Sequence, residues 1–262
     1  MASQVSKTQI DRLGDRLRRG KIAEDHLVLL DEYRRSFGEA YDLVVAAIQN
    51  ELGLEPTGRP AKSTTSISEK LFRESIRLTQ VQDIAGCRLL VQEIAEQERV
   101  VEALVRVFTN AAVVDRREQP SHGYRAVHVI VRIADKLVEI QVRTLLQHLW
   151  AEQSEKLSDV VDPAIKYGKG NEAIVKELLT ASGLIAQQEA QEVRLADLER
   201  RVSVMLSRPS LAPDTEETLT NLRRDINEAK TRQVTSREQT VKILQRTIDR
   251  VSTIGGRNVI PN

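Results

Sequence analysis

Lys62, Lys70 and Arg73 surround a run of hydroxyl side chains, KSTTSISEKLFR, that leads into a helix N-terminus. Free backbone amides and the helix dipole favour an anion there, and nearby basic groups suit a polyphosphate. A capped surface helix with solvated lysines would carry the same residues, so spacing alone leaves both readings open. In QDIAGCR, Asp83 stands just before a short apolar strand whose polar end is Arg88. A carboxylate at a strand end can hold Mg²⁺ over a phosphate chain, and it can equally cap a turn beside Gly86. In HGYRAVH and VEIQVRT, Glu139 is placed to be a second metal ligand or the base that takes a proton from an attacking hydroxyl. Tyr124 follows Gly123 and can offer its ring to a purine, with His128 four residues on. Isolated histidines such as His128 and His148 are more often structural. Together the three blocks are the parts of a metal-dependent transfer between nucleotides. Both carboxylates are expected at a solvated site.

Those residues need elements to position them. Apolar residues at Leu27, Leu30, Tyr33, Phe37, Tyr41, Val44, Val45 and Ile48 predict one long amphipathic helix over 22–52, stopped by Gly53. GLEPTGRPAKSTTS reads as a loop, and Ser66 with Glu69 as a capping box opening a short helix to about Glu74. CRLLV predicts a buried strand, followed by a helix over 97–109 and a strand over 111–117. YRAVHVIVRI and KLVEIQVRT predict an antiparallel hairpin turning at Ala134-Asp135-Lys136, with Tyr124 beginning its first strand. In its second strand Val138, Ile140 and Val142 point one way and Glu139, Gln141 and Arg143 the other. That polar face is either solvated or a site. A helix over 145–161 carries Trp150.

Two long helices follow, over 171–207 and from Asp214, which with Glu217 forms a second capping signal after the break SRPSLAPD. Leu195, Leu198, Val202 and Met205, then Leu219, Leu222, Ile226 and Ala229, give them an apolar stripe. The expected result is a helical hairpin or coiled-coil appendage that self-associates or folds back.

Of 262 residues 40% are hydrophobic and 29% charged, which excludes a disordered polyelectrolyte. With 39 basic against 38 acidic side chains, whole-chain charge does not argue for nucleic-acid binding. The single Cys87 excludes an internal disulfide and a cysteine-based zinc site. No apolar run approaches the roughly 18 residues of a membrane span and the N-terminus lacks a secretory apolar segment, so a cytoplasmic protein without membrane partners is expected.

Residues 62–151 resemble the synthetase domain of the RelA/SpoT family of alarmone synthetases, through KSxxSIxEKLFR, QDIAGCRLLV, GYRAVHVIV and VEIQVRTxxQHLWAE in that order. The resemblance implies an α+β fold with a nucleotidyltransferase-like mixed sheet flanked by helices. It also implies a GTP diphosphokinase that transfers pyrophosphate from ATP to the 3′-hydroxyl of GDP or GTP, with Mg²⁺ as cofactor. The implied organisation is a helical segment at 1–52, a synthetase domain at 53–168 and a helical appendage at 169–254 that oligomerises or packs intramolecularly. Lys62, Ser66, Lys70 and Arg73 match the ATP-phosphate region, Arg88 an adenine-stacking arginine, Asp83 the metal ligand and Glu139 the catalytic glutamate, also a metal ligand. Tyr124 matches the ring that stacks on the acceptor guanine, where Phe would serve nearly as well; His128, Gln141 and His148 match the acceptor's surroundings.

Three departures stand out. Pro60 occupies the place of a usual arginine, with Arg59 one position earlier; His148 replaces an Asn or Asp; and Ser121 follows Pro120 where many members carry a lysine. Nothing before residue 62 matches the family's hydrolase domain, so synthesis without degradation is expected. A toxin-like transfer to the tRNA 3′ end would want a basic track that the overall charge does not support. An inactive nucleotide-sensing scaffold would have no need of both Asp83 and Glu139.

Overall fold

The computed structural model describes residues 6–208 and 212–257. It is α+β, with a five-stranded mixed sheet in the order β1-β2-β5-β4-β3. The strands are β1 Thr57–Arg59, β2 Ala85–Val91, β3 Ala112–Asp115, β4 Val127–Ile133 and β5 Lys136–Thr144; the helices are α1 Lys7–Arg18, α2 Glu24–Arg35, α3 Gly38–Leu52, α4 Thr64–Glu74, α5 Ile94–Val107, α6 Leu145–Val160, α7 Glu172–Leu206 and α8 Pro213–Arg257. Among the described residues no helix is long and apolar enough to cross a membrane. The chain divides into two compact units. One takes the chain up to Leu89 with Arg99–Val114 and Val127–Val142, the other Leu90–Glu98, Asp115–Ala126 and the chain from Arg143 on.

In the first unit, Ser6 and Gln9 form a capping box that starts α1, a helix the periodicity analysis did not anticipate. Ile10, Leu13 and Leu17 of α1 are buried, as are Ile67 and Leu71 of α4, and α1 packs on α4 and on the short turn Leu78–Gln80. Gly14 permits that approach: a Cβ there would lie 2.8 Å from the Leu78 Cβ. The expected single helix over 22–52 is two. The Ser36 hydroxyl donates to the Tyr33 carbonyl at 2.6 Å, a local bond that competes with helix continuation. Phe37 turns inward, only 3% exposed, with its ring edge-on to Tyr33 at 5.2 Å. Helical spacing continues through this break, which is why periodicity did not reveal it. Gly53 does end α3, in the left-handed conformation at φ 65°.

β1 lies inside the segment expected to be loop and pairs antiparallel with β2, Thr57 opposite Arg88 and Arg59 opposite Gly86. The β4–β5 hairpin forms as expected with a tighter turn. Ile133 pairs with Lys136, so only Ala134 and Asp135 are unpaired, and Ala134 adopts φ 52° as a two-residue hairpin turn requires. Tyr124 precedes β4 instead of beginning it.

In the second unit α6, α7 and α8 enclose Leu146, Leu149, Trp150, Leu178, Ile185, Leu244 and Ile248. The Trp150 indole donates to the Leu178 carbonyl at 2.8 Å. α7 and α8 run antiparallel, Gln188 meeting Thr240 and Glu199 meeting Lys230. On α8 Leu219 and Ile226 are buried as expected, whereas on α7 the stripe is placed differently. Val202 is buried, but Leu198 and Met205 are 41% and 40% exposed, and the most buried α7 positions are Leu178, Ser182, Ile185, Glu189 and Val202. α8 begins at Pro213, whose preset φ suits a first helical position, not at an Asp214 cap; Pro209 lies outside the described residues. Ile185 and Leu184 separate the two faces of α7, at 1% and 55% exposure. Ile185→Ala is expected to lower stability by about 2–5 kcal/mol and Leu184→Ala by no more than about 0.5, read from denaturant midpoints at unchanged m-value.

Candidate active site

The first cluster is assembled by the start of α4. Ser63, extended and not helical, accepts from the Ser66 amide at 3.2 Å, so the helix starts ahead of the expected Ser66 cap and Ser66 sits in its first turn. The loop before it is tied at Lys62, whose amide donates to the Ile84 carbonyl at 2.6 Å and whose carbonyl accepts from Arg34 Nε at 2.6 Å. Lys62 Nζ then reaches Asp83 Oδ2 at 2.5 Å, and Lys70 Nζ reaches Oδ1 at 2.9 Å. Each oxygen of one carboxylate faces a compact cation. Burial pushes the Asp83 carboxyl up, but the two ammonium charges and their hydrogen bonds prevail and hold it below its usual range.

The second cluster sits on β5, the middle strand of the sheet. His128 Nδ1 lies 2.8 Å from Glu139 Oε1, and Gln141 Nε2 donates to Oε2 at 2.6 Å. The register explains this: His128 pairs with Gln141 and Ile130 with Glu139, so alternate residues of both strands share one face. Gly86 of β2 fits beside them, since a Cβ there would lie 2.9 Å from the Glu139 carbonyl. Burial raises the Glu139 pKa and the His128 contact lowers it; Asp83 raises it and Gln141 lowers it, with a net shift downward. The expectation of two solvated carboxylates is corrected: the Glu139 side chain is 11% exposed and that of Asp83 18%. Charge partners, not water, keep them ionised. Burial also pushes the nearby Cys87 thiol up to about 12, which leaves it protonated.

Other expected ATP-side residues lie less centrally. Arg88 is half-buried on β2, beside β1. Arg73 is exposed at the end of α4, with Nη2 2.8 Å from Glu74. The Arg59 side chain lies outside the described residues, although its backbone closes β1.

In the second unit Tyr124 closes a turn, its amide donating to the Ser121 carbonyl at 3.0 Å, with His122 and Gly123 at φ 53° and 88°. Its hydroxyl accepts from Arg143 Nη2 at 2.9 Å, and the guanidinium lies 5.0 Å from the ring centre. Arg143 is 4% exposed. The alternation along β5 had placed Arg143 on the polar face shared with Glu139 and Gln141, yet sequence reasoning assigned it no role. Removing the hydroxyl takes an acceptor from a buried cation, so Tyr124→Phe carries a cost in stability whatever it does to acceptor binding. His148 lies along α6, 4.0 Å from Glu152. Of the four expected acceptor residues, His128 and Gln141 contact Glu139, while Tyr124 contacts Arg143.

Among the described residues no group of three or more His, Cys, Asp or Glu side chains is arranged to hold a metal. Mg²⁺ does not require one, since it is commonly held by one or two carboxylates together with substrate phosphates. Asp83 and Glu139 carry the hard oxygens such an ion takes, and in this structure both Asp83 oxygens are bonded to lysine ammonium groups.

Two outcomes follow. Because the Asp83 pKa is lowered in the folded chain, its ion pairs stabilise fully above its ordinary value of 3.8 and are lost as pH falls through the lowered value. The stability difference between wild type and Asp83→Asn should therefore be flat at neutral pH and shrink below about pH 4, measured by urea unfolding across that range. Tyr124→Phe should cost about 1.5–3 kcal/mol, the scale of a hydrogen bond to a charged group, in the same assay at neutral pH.

Residues 58–158 match the family model described as the region found in RelA/SpoT proteins. An uncharacterized protein of Mycobacterium tuberculosis is 36% identical over 155 residues, covering 53% of this chain and 57% of its own length. The GTP pyrophosphokinase YjbM of Bacillus subtilis is 36% identical over 117 residues, 39% of this chain and 54% of the relative. The chain thus spans a little over half the length of the curated relatives it matches. Among solved structures, the small alarmone synthetase 1 from Bacillus subtilis is 26% identical with a TM-score of 0.47, over 68% of this chain and 100% of that one. The residues that build both carboxylate clusters, Lys70, Asp83, His128, Glu139 and Gln141 with Lys62, all fall within 58–158, so the part of the chain that matches the RelA/SpoT region is the part that carries the candidate site.

Proposed function

We propose that the chain transfers the β,γ-pyrophosphate of ATP to the 3′-hydroxyl of GDP or GTP, producing (p)ppGpp-type alarmones. The observation that carries this reading is Asp83, just before β2, held between Lys62 ahead of α4 and Lys70 within it, in one unit with an ionised Glu139. Phosphoryl-type transfer asks a protein mainly for positioning and charge neutralisation, and this cluster supplies both.

In this mechanism the 3′-oxygen of the acceptor forms a bond to the β-phosphorus of ATP. The bond from that phosphorus to the α,β-bridging oxygen breaks, and AMP leaves with the electron pair. The hydroxyl proton passes to the Glu139 carboxylate, which its lowered pKa keeps ready as a base at neutral pH. His128 Nδ1, hydrogen-bonded to that carboxylate, and Gln141 orient it. Lys62 and Lys70 exchange part of their contact with Asp83 for the phosphate chain, with Ser66 and Arg73 beside it. Arg88 serves the adenine side, where Arg59 is assigned from the sequence alone. Mg²⁺, held by Asp83 and Glu139, would neutralise charge that develops on the transferred group. Tyr124 stacks on the acceptor guanine, and His148 serves the acceptor side.

The test is γ-labelled ATP with purified full chain and a panel of GDP, GTP, GMP, ADP and tRNA. Label is expected on GDP or GTP, and Asp83→Asn and Glu139→Gln should each lower turnover by about 10²–10⁴-fold while circular dichroism stays unchanged. Label on tRNA alone would replace this reading with transfer to the tRNA 3′ end. Turnover near wild type in either variant would remove the two-carboxylate mechanism.

A further inference from the structure

Tyr124 is flanked by Gly123 and Arg125, and both neighbours are tied to α7. The Ser182 hydroxyl donates to the Gly123 carbonyl at 2.7 Å. Arg125 donates through Nε and Nη2 to Glu189 Oε2 at 3.1 and 2.7 Å, and through Nη1 to the Arg117 carbonyl at 2.9 Å. Ser182 and Glu189 lie seven residues apart, two turns on the same face of α7, with buried Ile185 between them. The other Glu189 oxygen accepts from Gln147 Nε2 at 2.7 Å, and the Gln147 carbonyl oxygen accepts from Gln97 at 2.8 Å. Gly123 also leaves no room for a side chain, since a Cβ would lie 2.7 Å from Trp150.

Burying this polar set is a poor way to stabilise a helix contact. The Arg125 and Glu189 side chains are 12% and 8% exposed, and an ion pair taken that far out of water is commonly no more stabilising than apolar side chains of similar volume. What such a pair does supply is a defined geometry, here at the two residues that carry the Tyr124 ring between them. Helix α7 also lies wholly outside the matched family region, 58–158.

We propose that α7 is part of the acceptor-nucleotide site and that Glu189 and Ser182 are positioning residues that set the Tyr124 ring for a guanine base. This rests on the reading of Tyr124 as the ring that stacks on the acceptor. The C-terminal hairpin is then needed for acceptor binding even when the ATP side is intact.

The experiment uses the full chain. Steady-state kinetics with GDP and ATP varied in turn, and calorimetric titration with GDP, are run on wild type, Glu189→Gln, Ser182→Ala and Lys230→Met. Lys230 pairs with Glu199 on the same hairpin, ten residues beyond Glu189 along α7, so it controls for general loosening of the helices. Glu189→Gln and Ser182→Ala should raise the GDP KM and Kd about tenfold, inside the about 5- to 150-fold that a lost stack is worth, with the ATP KM unchanged within about twofold. Lys230→Met should change neither. A folded Glu189→Gln protein with wild-type GDP affinity, or with GDP and ATP constants rising together, overturns the proposal. Should Glu189→Gln lose its helical circular dichroism, Ser182→Ala decides by the same criterion. Wild type that neither binds GDP nor transfers label to it would fail before any substitution is compared, overturning the proposed function and this inference with it.

Discussion

Two ammonium groups, one ahead of α4 and one within it, share the aspartate that precedes β2, and much of the first unit is arranged so that they can. A carboxylate with an 18% exposed side chain has lost most of its water, and only the Lys62 and Lys70 charges make its ionised form the favoured one. Lys62 can reach it because its own backbone is bonded on both sides, to the Ile84 carbonyl and to Arg34. Lys70 can reach it because Ser63 caps α4 and sets the phase of the helix. Arg34 belongs to α2, which precedes the family region, so an N-terminal helix takes part in shaping the loop that carries Lys62.

The same logic governs Glu139. On the middle strand of the five-stranded sheet Glu139 is 8% exposed, so it needs partners. β4 supplies His128 through the hairpin register, β5 supplies Gln141 two residues on, and β2 makes room with Gly86. The result is a carboxylate held ionised and fixed in orientation before any ligand arrives. Preorganised charge of this kind does not have to reorient as a reaction proceeds, which is where enzymes gain over water.

The second unit solves a different problem, the placement of one aromatic ring. A turn with positive φ at His122 and Gly123 has little intrinsic rigidity, and its stiffness comes from outside: Trp150 against Gly123, Ser182 and Glu189 from α7, and Arg143 on the Tyr124 hydroxyl. The long C-terminal helices therefore do more than bury their own apolar residues.

Much of this was legible in the sequence, because local rules suffice for it. Period-two alternation exposed the β4–β5 hairpin and the polar face carrying Glu139, Gln141 and Arg143; Asn171 and Gly53 marked helix ends by their own conformational preferences. The carboxylates, the lysines and Tyr124 stood out by residue type and order. Tertiary structure decided what pairing and packing decide. The break between α2 and α3 follows from Phe37 turning into a core that helical spacing does not describe, and β1 exists only because β2 offers it an edge. Likewise the partners of each charge, Lys62 and Lys70 for Asp83, His128 for Glu139, Glu189 for Arg125, lie up to 64 residues apart in the chain. Sequence shows which groups are charged; only the folded chain, by removing water from some of them, determines which must find one another.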